Sequence, residues 1–365
     1  MHVTKLNLNN FRNYRELSLE FDSHLNIITG PNAQGKTNLL EGLVFASIGK
    51  SHRGRDEDLP TWGSDFFRIS VDFFKQERDF KIEIRWQEKK KKILINGVQK
   101  KKIGELLGNL NTVLFAPEDL QMVKGGPGER RKFLDLEISQ LNPTYYHDLQ
   151  QFIKILSQRN NLLKQISQGF TSAAMLEIWD QQLVDWGAKI YFKRIEILKK
   201  FNPLARLMHR KITNGKETLE IQYISSVGQE KETQSNYQEV WRNLIEISRK
   251  EEIRKGFTIY GPHRDDLRFV VNNIDMRYFG SQGQQRTTAL AVKLAELELV
   301  KSEIGHYPVL LLDDVMSELD DLRQKYLLQT IQEKIQTFIT TTNDRFFEPL
   351  GYGKVFNIYQ GEIKQ

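Results

Sequence analysis

Residues 30–37, Gly30-Pro31-Asn32-Ala33-Gln34-Gly35-Lys36-Thr37, have the spacing G-x-x-x-x-G-K-T. Glycine at both ends lets the backbone curl so that successive N–H groups converge on an anion. A helix starting at the second glycine adds the positive end of its dipole. The Lys36 ammonium can reach the β- and γ-phosphates of a nucleotide, and the Thr37 hydroxyl can ligate Mg²⁺. Far downstream, Val309-Leu310-Leu311-Leu312 runs into Asp313 and Asp314. An apolar run ending in acid is how a buried parallel strand delivers carboxylates to its C-terminal edge. There Asp313 could hold Mg²⁺ with Thr37, directly or through water, and Asp314 could polarise an attacking water as general base. A strand-end Asp can equally cap the next helix. Between the two, Ser281-Gln282-Gly283 precedes a helical stretch and offers a second anion-binding turn.

A third group of residues is basic. Lys89, Lys90, Lys91 and Lys92 precede a short β-prone run, Asn96-Gly97 marks a tight turn, and Lys100, Lys101 and Lys102 follow. Asn-Gly between two such runs is a hairpin signal, and the hairpin would bring both clusters to one edge near its base. Lysine there either protects a solvated edge strand from aggregation or contacts phosphates. The net charge of +6 is modest and becomes informative only through this clustering.

The elements that must position these groups are legible from pattern. Leu25, Ile27 and Ile28 read as a buried strand before the phosphate loop, with Leu39, Leu40, Leu43 and Val44 on one face of an amphipathic helix after it. Residues 1–125 carry strand alternation, as at Ile69, Val71 and Phe73. Residues 127–201 turn helical, with Pro127 and Pro143 at first-turn positions and Asn142 as a cap. Two long helices follow, the second with Trp179, Leu183, Trp186, Ile190, Ile197 and Phe201 on a stripe, and Gly169 turns between them. Strands are expected at 217–224 and 258–279, the latter turning at Asn272-Asn273, and helices at 237–255 and 284–304. The 365 residues, 39% hydrophobic and 27% charged, suffice for a large core and argue against global disorder. The absence of cysteine excludes disulfides and thiolate metal sites and fits a reducing cytoplasm. No apolar stretch approaches the roughly 20 residues of a membrane span, and the first residues read as a strand, without a signal-peptide core.

The order of these motifs resembles the head of ABC-type ATPases, in the SMC-like group split by a helical insertion. In that resemblance Ser281-Gln282-Gly283-Gln284-Gln285 stands at the signature motif and Ser317-Glu318-Leu319-Asp320 at the D-loop. One of Thr340, Thr341 or Thr342 takes the switch position, Thr341 being the choice, where transporter ATPases have a histidine. No glutamine marks a Q-loop. PEDLQMVKGGPGERRKFLD (117–135), LLLDDVMSELD (310–320), NFRNY (10–14), KSHR (50–53) and GPHRDDL (261–267) are similar to the RecF family of bacterial DNA repair and recombination mediators, over the whole length.

The resemblance implies an α/β ABC-type head with an inserted helical arm: head over 1–125, arm over 126–256, head again over 257–365. It implies ATP and Mg²⁺ bound between two copies in an ATP-dependent homodimer. Ser281, Gly283 and Gln284 of one copy would face Gly30–Thr37 of the other, and Arg12 in NFRNY could contact nucleotide or be a surface arginine. It further implies a weak DNA-dependent ATPase in the cytoplasm. Such an enzyme binds double-stranded and gapped DNA, partners with RecR and with it RecO, and helps RecA load. Arg130, Arg131 and Arg264 join the lysines as candidate DNA contacts, while His263, Arg264, Asp265 and Asp266 read equally as a structural network. The alternatives are another SMC-like ATPase, a P-loop nucleoside kinase, which needs no signature turn, and a transporter ATPase, which leaves the arm unexplained. A true SMC insertion would run to hundreds of residues, whereas Lys36 and Ser281 are 245 apart (281 − 36).

Overall fold

The structure, a computed structural model, describes residues 1–228, 233–331, 334–342 and 353–364. It forms two compact units: Met1–Asp119 with Leu290–Gln365, here the head, and Leu120–Ala289, here the arm. The chain begins with β1 (His2–Phe11), β2 (Tyr14–Glu20), β3 (Leu25–Thr29), α1 (Lys36–Ile48), β4 (Phe66–Lys75), β5 (Arg78–Gln87), β6 (Lys90–Ile95), β7 (Val98–Lys100) and β8 (Thr112–Phe115). The arm contributes α2 (Leu120–Lys124), α3 (Pro127–Leu141), α4 (Pro143–Ser167), α5 (Leu176–Ile212), β9 (Leu219–Ile224), α6 (Gln234–Lys255), β10 (Asp266–Val271), β11 (Ile274–Asp275) and α7 (Met276–Phe279). Helix α8 (Gln282–Ile304) leads back to the head, completed by β12 (Val309–Asp313), α9 (Asp321–Ile331), β13 (Thr337–Thr341), β14 (Lys354–Tyr359) and β15 (Glu362–Lys364).

The head has two six-stranded sheets. One is antiparallel, in the order β2-β1-β4-β5-β6-β7. Its two-residue turns at Gln76-Glu77, Glu88-Lys89 and Asn96-Gly97 all have positive φ, which matches the twist of the flanking strands. Alternate residues Phe67, Ile69, Val71 and Phe73 of β4 and Ile82, Ile84 and Trp86 of β5 are buried. The other sheet runs β15-β14-β3-β13-β12-β8, parallel except for β15. Strands β3, β12 and β13 are buried at every residue; β12 accordingly reads as an apolar run, while β3 and β13 bury Asn26 and four threonines as well. Because five strands are parallel, the phosphate loop after β3, Asp313 of β12, Thr340 of β13 and the turn after β8 emerge at one edge.

Helix α1 packs on strands of both sheets. Eleven of its 13 residues are therefore buried, Glu41 and Ser47 included. The amphipathic helix expected from Leu39, Leu40, Leu43 and Val44 is in fact covered all round.

In the arm α5 packs along α4 and α6 and against β9, and β9 pairs with β10 in a small antiparallel sheet. The compact unit of the arm accordingly extends through this pairing to Ala289, whereas the sequence placed the return to the head at 257. The second long helix also continues past 201, through Pro203, to Ile212. Trp241 sits at the centre. A Cβ on Gly187 would lie 2.4 Å from its ring, and one on Gly261 2.3 Å, so both glycines are needed to seat it. Three buried arginines bind the helices together. Arg159 pairs with Asp180 (2.6 Å) and Glu252 (2.7 Å), Arg194 forks onto Asp135 (2.9 Å twice), and Arg130 forks onto Asp266 (2.7 and 2.9 Å). Removing one partner of such a pair costs about 3–5 kcal/mol, because the other charge is left buried.

A candidate nucleotide-binding site

The loop between β3 and α1 has the geometry its glycines suggest. Gly30, Ala33 and Gly35 have positive φ (143°, 63° and 113°). A Cβ on Gly30 would lie 2.2 Å from the Ile358 carbonyl oxygen of β14, and one on Gly35 2.4 Å from the Asn13 amide. The loop is braced from outside. The Asn13 side chain donates to the Gln34 carbonyl (2.9 Å), and the Gln360 and Gly361 backbone N–H groups donate to Gln34 (2.6 and 3.2 Å). Lys36 lies over the loop, its ammonium donating to the Gly30 and Pro31 carbonyls (2.7 and 2.8 Å). Burial lowers its pKa, opposed by the nearby Asp314 and Asp313.

Beside the loop, Asp313 is buried and accepts from two hydroxyls, Thr37 (2.9 Å) and Thr340 (2.8 Å), both at Oδ1. Thr37 is 276 residues away in sequence. The Thr340 oxygen also accepts from the Asp314 N–H (2.9 Å), and Asp314 adopts a left-handed conformation (φ 56°). That turn half-exposes Asp314 one residue past the buried Asp313. Among the three threonines considered for the switch position, Thr340 makes the link to both aspartates. Thr341 is buried at the end of β13, and Thr342 is exposed. Among the described residues no three carboxylate or imidazole groups cluster as a protein-only metal cage. One hydroxyl and one carboxylate, beside a phosphate loop, are the donor set that fits Mg²⁺, which keeps waters and phosphate oxygens for its other positions.

Arg12 does not point freely to solvent. Its guanidinium forks onto the buried Glu41 (2.9 Å twice) and donates to the Asp58 carbonyl (3.1 Å). Burial works against the Glu41 charge, but the Arg12 fork and the Ser51 hydroxyl win and hold its pKa below the ordinary value. At the D-loop position Ser317 donates to the Asp314 carbonyl (2.7 Å), and Asp320 accepts from the Arg323 N–H (3.0 Å), capping α9. The side chain of Glu318 lies outside the described residues.

The signature-like turn belongs to the arm. Ser281 and Gln284 cap α8 reciprocally: the Ser281 oxygen accepts the Gln284 N–H (3.2 Å), and the Gln284 side chain accepts the Ser281 N–H (3.1 Å). Gln284 also donates to Glu217 (2.8 Å), so its amide is occupied within the chain. Ser281, Gln282 and Gly283 are exposed.

A family model described as RecF/RecN/SMC N terminal domain matches residues 2–364. The DNA replication and repair protein RecF of Halalkalibacterium halodurans is 44% identical over 369 residues, with 100% of both chains covered. The chain belongs to the RecF family. The RecF of Halothermothrix orenii is 48% identical over 348 residues, covering 94% of this chain and 92% of its own. Among solved structures, the recombination mediator protein RecF-ATPrS in the RecFOR pathway superposes with a TM-score of 0.93 at 39% identity, covering 100% of this chain and 97% of its own. An Smc head bound to the C-winged helix domain of ScpA, at 16% identity and a TM-score of 0.57, shares the fold. The RecF-family chain thus has the ABC-type, SMC-like head with an inserted arm, and the kinase and transporter readings are set aside.

The basic candidates separate. Lys89, Lys90, Lys92, Lys101 and Lys102 are exposed and Lys100 half-buried. The register Ile93↔Lys100 places both clusters at the open end of the β6–β7 hairpin, as expected. Lys91 turns inward instead, donating to the Gly49 carbonyl (2.6 Å) and Asp56 (2.5 Å) and lying over the Phe45 ring. Arg130 is buried, with its fork on Asp266 and Nη1 on the Gly125 carbonyl (2.8 Å), so its donors are engaged within the chain. Arg131 is half-buried and donates to the Asp265 carbonyl (2.7 Å). Of residues 263–266, Asp265 is buried, His263 and Asp266 are half-buried, and Arg264 is exposed. Asp265 accepts from the Tyr223 hydroxyl (2.6 Å) and the Ser226 N–H (2.7 Å), and Arg264 donates to the Thr258 carbonyl (3.1 Å). Glu41, which anchors Arg12, escaped the sequence reading because an acid inside an apolar helix shows no partner until the fold supplies one.

Proposed function

We propose that the chain is an ATP-driven dimerisation switch acting on DNA in replication and recombinational repair. The observation that carries it is the hydroxyl–carboxylate–hydroxyl bridge Thr37–Asp313–Thr340, which joins the phosphate loop to the acid strand at the carboxyl edge of the parallel sheet. Supporting it are the family's members, named DNA replication and repair proteins, and solved RecF-ATPrS and RecF-ATP structures of the same fold.

In this reading the curled N–H groups of Gly30–Thr37 cradle the phosphates and Lys36 swings from the loop carbonyls onto them. Thr37 and Asp313 would hold Mg²⁺, which when bound would supply positive charge to offset that of the phosphates. Asp314, half-exposed and anchored at its N–H by Thr340, accepts the proton of the attacking water. The exposed N-terminus of α8, Ser281 to Gly283, caps the γ-phosphate held by a second copy. A triphosphate capped from both sides holds two copies together, and hydrolysis releases them. A lone copy has half a site and turns over slowly. The exposed lysines at the hairpin base contact backbone phosphates of double-stranded or gapped DNA, so binding is salt-sensitive and weakly sequence-selective. With RecR and RecO as partners, such a switch would help RecA load on gapped DNA.

Sedimentation with ATP and Mg²⁺, with and without gapped DNA, tests it. The expected result is ATP-dependent dimers and DNA-stimulated hydrolysis. A chain that stays monomeric with ATP at every concentration, on and off DNA, refutes it.

A further inference from the structure

Three large aromatic side chains close in sequence to the segments described above stand out in solvent. Trp62 is 98% exposed, Tyr278 67% and Phe279 76%. Trp62 follows a segment tied to the β1–β2 turn: Thr61 donates from its N–H to the Asn10 carbonyl (2.8 Å) and from its hydroxyl to the Tyr14 carbonyl (3.3 Å). That same turn carries Asn13, which braces the phosphate loop. Tyr278 and Phe279 end α7, separated from Ser281 only by Gly280. Trp62 thus follows a segment bonded to the turn that braces the phosphate loop, and Tyr278 and Phe279 directly precede the turn proposed to meet a second copy's phosphate loop.

Their charges are complementary. Asp58 and Asp65, both exposed or nearly so, lie on either side of Trp62 in sequence, and the Arg277 guanidinium lies over the Tyr278 ring at 5.1 Å. Exposed rings of this size gain from mutual burial, and an arginine lying over one of them adds a positive charge beside the ring.

We propose that in the ATP-loaded dimer Trp62 of one copy packs on Tyr278 and Phe279 of the other, with Arg277 facing Asp58 and Asp65. The contact rests on the head-to-signature pairing under Proposed function. Two-fold symmetry makes it twice per dimer. It locks the copies in register, so that the signature turn meets the γ-phosphate squarely.

The chain has no cysteine, which permits a direct test. W62C and F279C variants are mixed with a short bismaleimide, with and without ATP and Mg²⁺, and dimerisation is followed in parallel by sedimentation. The expected result is a covalent dimer in the mixture only with ATP, and little from either variant alone. Dimers that sediment with ATP yet give no 62–279 cross-link overturn this contact and leave the switch standing. No dimer at all overturns both. Trp62→Ala should weaken ATP-dependent association about tenfold with nucleotide affinity unchanged; equal association overturns the contact. Protection of the W62C thiol from maleimide by duplex or gapped DNA without ATP would assign the ring to nucleic acid and also overturn it.

Discussion

At the scale of single residues the site is organised around one oxygen. Thr340 Oγ1 donates to Asp313 and accepts from the N–H of Asp314, so it sets the spacing between the proposed metal ligand and the proposed base. Thr340→Val keeps the shape and removes both bonds. Steady-state kinetics should show turnover down by roughly tenfold with KM for ATP little changed, since positioning and not phosphate binding is lost. Asp314→Asn keeps size and removes the proton acceptor. Turnover should fall on the order of 10²-fold or more while ATP binding persists and dimers accumulate. Wild-type turnover in this variant would place the base elsewhere. The sequence favoured Thr341 among Thr340, Thr341 and Thr342, but three adjacent identical residues differ only in which way the strand turns each one, and it is Thr340 that bonds Asp313 and Asp314. The signals for Lys36, Thr37 and Asp313 were local in sequence, and the structure brings all three to one edge.

At the scale of elements, the legible parts were those whose period matched their burial. Strand β12 read as an apolar run because parallel strands are covered on both faces. Helix α1 misled because it too is covered on every side, so its polar Glu41 and Ser47 looked like an exposed face. The Asn96-Gly97 turn was visible from composition, while Gln76-Glu77 and Glu88-Lys89 adopt the same positive φ without any glycine to announce it. The lysine hairpin can now be dissected. Replacing Lys92, Lys101 and Lys102 by Ser should weaken DNA binding and lower its salt slope by up to about 3 (roughly one for each phosphate no longer neutralised). Lys91→Ser should leave that slope unchanged and destabilise the head, since Lys91 serves Gly49 and Asp56. In the arm, Gly187→Ala forces a methyl against the Trp241 ring and should cost about 1–3 kcal/mol in denaturant unfolding.

At the scale of the whole molecule, stability should respond to acid through a buried imidazole. Burial pushes the His263 pKa down to about 3, with Arg264, Arg131 and Arg159 also repelling a proton. The unfolded chain takes that proton near pH 6.5, so unfolding binds a proton between these values and stability drops as pH falls from about 6.5 toward 3. The loss from this group is at most about 1.4 kcal/mol per pH unit. His263→Phe should be less stable than wild type at pH 7, because the imidazole bond to the Thr258 carbonyl is gone, and the gap should narrow toward pH 4 in thermal melts. The phosphate loop, finally, is walled by Ile358 and pinned by Gln360 and Gly361, residues more than 320 positions downstream. A chain cut before Lys354 would carry every residue named for binding phosphate and still lack the wall and the two N–H groups that brace the loop, so its grip on nucleotide should be weaker than that of the full chain.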